Sequence, residues 1–63
     1  MPSDQAEIAL RDILRNIDLA AQFSAGMDQA AFVADMKTTY AVTRCLEIIS
    51  EASRRLPARL IAQ

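Results

Sequence analysis

Leu10, Ile13, Leu14, Ile17, Ala20 and Ala21 recur every three or four positions. At about 100° per residue that spacing collects them into one stripe, the mark of a helix with a core-facing side. The pattern predicts a first helix from Gln5 to Phe23, with Asp4 as its cap and Glu7 completing a capping box. A second, interrupted stripe of Ile8, Leu19 and Phe23 lies on nearly the opposite side, with Asp12 and Arg15 between its apolar members. The helix should close at Ser24-Ala25-Gly26, because glycine takes the left-handed backbone at little cost.

Beyond the glycine, Asp28 is placed to start a short helix over 29–34 (QAAFVA), and Asp35 to cap a fresh start at Met36. The long helix is predicted to run from Met36 to Arg55, since Pro57 disfavours helical geometry at Leu56. Arg54, Arg55 and Arg59 then stand near the negative end of its dipole, and the tail ARLIAQ is long enough only to begin another helix. Along the long helix Val42, Cys45, Leu46, Ile48, Ile49, Ala52 and Leu56 fill an apolar arc of about 160°, opposite Tyr40, Arg44, Glu47, Glu51 and Arg54.

Both helices thus carry more apolar surface than one neighbour can cover. The expected fold is all-α: an antiparallel helical hairpin with a short extra helix at the bend, forming a helical bundle as a homodimer. Leu10, Leu14 and Ile17 are expected to pack against Leu46 and Ile49 within the chain, leaving Ile8, Leu19 and Phe23 as the interface.

Length sharpens that expectation. A chain of 63 residues is one small domain, and domains of about this size bury only about 60% of the surface their unfolded chains expose. Disulfides and a structural metal are the usual supplements, but there is one cysteine and no histidine. Association is the remaining route. Cys45, set among apolar residues, is read as a small buried hydrophobe.

Charge narrows the function classes. Seven basic residues against eight acidic ones give no global field to draw nucleic acid or an anionic membrane. The longest apolar run falls far short of the roughly 20 residues that cross a bilayer, and the start MPSDQAE lacks a signal-peptide pattern, so a cytoplasmic protein is expected, with no membrane partner. Without histidine, a Cys-x-x-Cys pair or a glycine-rich loop, the residues offer no parts for metal hydrolysis, a catalytic triad or phosphate cradling. No catalytic, metal or cofactor residue is therefore assigned. What remains is the polar stripe Tyr40, Arg44, Glu47, Glu51 and Arg55. It reads either as a solvated face, with a Glu51–Arg55 pair in the favourable order, or as one wall of a groove in which Arg44 and Glu51 support a site.

The residues also carry a resemblance. The segment from Arg11 to Pro57, and above all AVTRCLEIISEASRRLP, is similar to the first half of the HepT-like proteins of the HEPN superfamily, in which Ala-Val is followed after a short gap by Leu-Glu-Ile-Ile-Gly-Glu-Ala and a terminal Leu-Pro. FVAD resembles the Phe and Asp that precede the long helix there. Ser50 departs from the family's usual glycine. The resemblance implies a ribonuclease toxin paired with a nucleotidyltransferase antitoxin, a two-fold dimer with its cleft at the interface, and RNA as substrate of the complete form only. It also implies a catalytic Arg, then His and Tyr, on a later helix that no position here matches; Tyr40 precedes the shared segment and is not that tyrosine. Glu51 matches the family's acid. The alternative reading is a standalone helical self-association or protein-interaction module without catalytic activity.

Overall fold

A proline in the first helical turn loses nothing, because the N–H it lacks would have had no helical partner, and its ring already holds a helical φ. In the computed structural model, which describes residues 2–57, helix α1 accordingly runs Pro2–Phe23. It begins ahead of the Gln5 expected from the capping pattern, so Asp4 lies inside the first turn, where its charge still suits the positive end of the dipole. The turn after α1 bends at Gly26, whose φ of 76° lies in the left-handed region. Ser24 closes the helix end, its hydroxyl donating to the Ala20 carbonyl at 2.8 Å.

Two aspartates then organise the bend. Asp28 accepts a hydrogen bond from the Ala31 N–H at 2.8 Å and caps α2, Gln29–Ala34. Asp35 accepts from the Thr38 N–H at 3.0 Å and caps α3, Met36–Ser53. Asp35 also ends α2, its own N–H lying 3.1 Å from the Ala31 carbonyl and 3.3 Å from that of Phe32. The Thr39 hydroxyl ties the two helices together, 2.9 Å from both the Phe32 and the Asp35 carbonyl oxygens. Regular α-helix stops two residues short of the expected Arg55. The chain there tightens into bonds of shorter span, from Arg54 to Glu51, Arg55 to Ala52 and Leu56 to Ser53. The tail with Arg59 lies outside the described residues.

Helices α1 and α3 pack along one another, with α2 resting on α3. Their directions oppose, because Arg55 at the end of α3 reaches Asp12 in the first half of α1 while Phe23 shares a depression with Lys37, Thr38 and Ala41 at the start of α3. The seam between them is not the one expected. Its most enclosed residues are Ala9 and Ala52, both at 0% exposure, Cys45 at 4% and Asn16 at 7%. Ala9 and Asn16 are two helical turns apart, as are Cys45 and Ala52, so each pair stacks along one line of its helix. Leu10 (44% exposed), Leu14 (67%) and Ile17 (52%) face away from the seam, and so does Leu46 (57%); Ile49 is half-buried.

Size explains the difference. Small side chains let two helix backbones approach closely, and the ridges of one then sit in the grooves of the other. The periodicity of large apolar residues marks the bulkiest stripe, whereas the hairpin closes on its smallest. Asn16 tolerates this position because its amide donates to the Asp12 carbonyl of its own helix at 2.8 Å. None of the large side chains among the described residues is fully enclosed.

Candidate functional site

The polar stripe of α3 supplies the candidate site residues, and its charges resolve locally. The Arg44 guanidinium lies 3.6 Å from the Glu47 carboxylate, one helical turn along, with both side chains largely in solvent. Arg44 is thereby paired with Glu47 and not with Glu51. The Glu51 carboxylate, also exposed, has no hydrogen bond or ion pair among the described residues. Tyr40, at 71% exposure, stands on the same open face. Arg54 donates to the Ser50 hydroxyl at 3.3 Å, one turn back along its helix.

Arg55 behaves differently from its expected partnership with Glu51. Its guanidinium crosses to α1 and meets the Asp12 carboxylate at 3.1 Å. The cause is its place beyond the last regular turn of α3, where the shorter-span bonds leave the side chain beside α1. Both partners are over 40% exposed, at 44% and 42% of the side chain, so the pair contributes at most about 1 kcal/mol to stability. It also marks the register, joining the turn of α1 that holds Asp12 to the end of α3.

The residues expected at an interface keep to one flank of α1. Ile8 is 54% exposed and Phe23 43%, while Leu19 is half-buried. Ile8 and Leu19 lie on the side of the hairpin that carries the Asp12–Arg55 pair, so a charged bridge crosses this surface. Sequence periodicity missed two features: Ala9 and Asn16 within the seam, and the cross-helix role of Asp12. A signal for the first existed in the seven-residue spacing of Ala9, Asn16 and Phe23.

Two shallow depressions mark the bend, one lined by Asp28, Gln29, Ala30 and Val33, the other by Phe23, Lys37, Thr38 and Ala41. Neither gathers a nucleophile with a base. Among the described residues no three of histidine, cysteine, aspartate and glutamate are grouped to hold a metal ion. No described helix is long and apolar enough to cross a membrane. The arrangement is two helices held in register, with their polar faces and much of their aliphatic surface open.

Comparison with known proteins gives that arrangement its context. The family model described as "Ribonuclease HepT-like" matches residues 13–63. "Putative RNase MJ0125" of Methanocaldococcus jannaschii is 39% identical over 57 residues, 90% of this chain and 49% of that protein. "Probable ribonuclease HepT" of Thermococcus cleftensis is 44% identical over 48 residues, 76% of this chain and 44% of the relative. No solved structure matches significantly. The chain spans about half the length of these curated relatives, and, with a family match over most of its residues, it belongs to the HepT-like ribonuclease family.

Proposed function

We propose that these 63 residues form the supporting half of a HepT-like ribonuclease subunit of a toxin–antitoxin pair, and that they do not cleave RNA by themselves. The observation that carries the reading is the family match together with coverage of about half of each relative. General acid–base cleavage of RNA needs a group that exchanges protons near neutral pH, and the sequence has no histidine. Arg44 and Glu51 are then residues that border a site completed elsewhere, with Glu51 left unengaged for that purpose. A homodimer, a nucleotidyltransferase antitoxin as partner and a cytoplasmic location belong to the same proposal.

The direct test is incubation of the purified chain with a tRNA and mRNA pool. No cleavage above buffer is expected; cleavage that follows the chain through purification and disappears on Arg44→Ala or Glu51→Ala overturns the proposal. A second reading, a non-catalytic interaction module, is favoured by one observation, the exposed aliphatic surface of Leu10, Leu14, Ile17 and Leu46. The intact mass of the protein isolated from its own cells separates the two. A product near the 6.9 kDa of this chain supports the module, and one about twice as heavy supports the ribonuclease subunit.

A further inference from the structure

Between Met27 and Leu56 the chain has neither glycine nor proline, so neither of the usual breakers ends a helix at Asp35. The break there is nevertheless sharp. Asp35 is extended, with φ −93° and ψ 96°, and α2 ends and α3 begins on either side of it. A continuous helix would bond the N–H groups of Met36, Lys37 and Thr38 to the carbonyls of Phe32, Val33 and Ala34. None of these bonds forms among the described residues.

Two side chains stand in for them. The Asp35 carboxylate accepts from the Thr38 N–H at 3.0 Å, and the Thr39 hydroxyl lies 2.9 Å from the Phe32 carbonyl that the Met36 N–H would otherwise serve. The same hydroxyl is 2.9 Å from the Asp35 carbonyl one turn back, a contact of the kind that bends helices. Little else positions α2. Among the described residues, α2 buries none of its own and packs on α3 but not on α1.

We propose that the α2–α3 junction is a hinge latched by Asp35 and Thr39, and that its second state is one straight helix over 29–53. Latch and straight helix compete for the same polar groups, because the Thr38 N–H and the Phe32 carbonyl, once released by the two side chains, find backbone partners only if the helix is continuous. Asp28 serves both states, since its carboxylate caps the Ala31 N–H at the start of either helix. The straight helix is about 37 Å long and carries α2 off the side of α3. It also changes the surface. Val33, Met36 and Tyr40, at 68%, 70% and 71% exposure, are three and four positions apart, so they share one face only when the helix is continuous. The hinge thus assembles or divides an apolar stripe while the seam at Ala9 and Ala52 stays in place.

NMR of the complete chain tests the hinge. In the parent, the Cα shift of Asp35 should be non-helical and the Lys37 amide weakly protected from exchange. Asp35→Ala combined with Thr39→Val should bring the Cα shift of residue 35 into the helical range, raise Lys37 protection by about tenfold or more, and give the contacts between residues 33 and 36 and between 34 and 37 of an unbroken helix. Thr39→Val alone leaves the Asp35 cap, so α2 loosens without joining α3. Asp35→Asn should keep the break, because asparagine caps about as well as aspartate. Unchanged shifts at Ala9 and Ala52 check that the hairpin persists; if the double variant loses it, Asp35→Ala is read by the same shifts and must move in the same direction. A residue 35 that stays extended overturns the proposal. So does melting of 29–34 with no gain at Lys37, or straightening by Asp35→Asn as complete as that of the double variant.

Discussion

Leu14 carries the sharpest consequence at the scale of single residues. Its place in the apolar stripe predicts a core residue, but at 67% exposure truncation removes few contacts. Leu14→Ala should change the stability of the isolated hairpin by no more than about 0.5 kcal/mol, the usual range for surface positions, in place of the roughly 2–5 kcal/mol of a buried leucine. Urea titration followed by circular dichroism measures this. The seam should respond in the opposite way. Ala9 and Ala52 are fully enclosed, so Ala9→Leu or Ala52→Leu forces the helices apart and should destabilise by about 1–3 kcal/mol. A melting temperature unchanged by either leucine contradicts the small-residue seam. Positions such as Ala9 were hard to read because hydrophobic periodicity weights side chains by bulk, whereas close packing selects for its absence. Asn16 was harder still, since nothing in its polarity announces that its own helix satisfies it.

Among the elements, the bend was the most legible. Asp28 precedes the short α2 and Asp35 the long α3, and each caps the helix it precedes. The reason is local: an aspartate side chain satisfies an N–H within three residues, with no help from the rest of the fold. Asp35→Ala should therefore destabilise by about 0.5–2 kcal/mol. Thr39→Val removes the hydroxyl that ties α3 to the end of α2 and should loosen α2 first, seen as faster amide exchange over 29–34 with α1 unaffected. At Gly26 a methyl group would meet only open space, yet the backbone φ of 76° remains. Alanine there is strained by the backbone alone, and Gly26→Ala should cost about 1 kcal/mol, with asparagine tolerated better. The ends of helices were less legible, since Pro2 extends α1 backward and the last turn of α3 tightens.

The whole molecule joins these scales. A hairpin closed by small residues gains little from burial, so it is marginal alone, and the large aliphatic residues that would stabilise it are turned outward. The all-α class, and the presence of more apolar surface than the hairpin covers, were legible in the two-sided helices. Which side faces inward was not, because it depends on how near two backbones can come and on the Asp12–Arg55 pair, both of them long-range. Hydroxyl-radical footprinting of the chain, at concentrations where it sediments as a monomer, reads that orientation residue by residue. Comparing like residues removes differences in intrinsic reactivity: Leu14 and Leu46 should be labelled faster than half-buried Leu19, and Ile17 faster than half-buried Ile13 and Ile49. Protection of Leu14, Ile17 and Leu46 in the monomer, with Leu19 and Ile13 open, would contradict it.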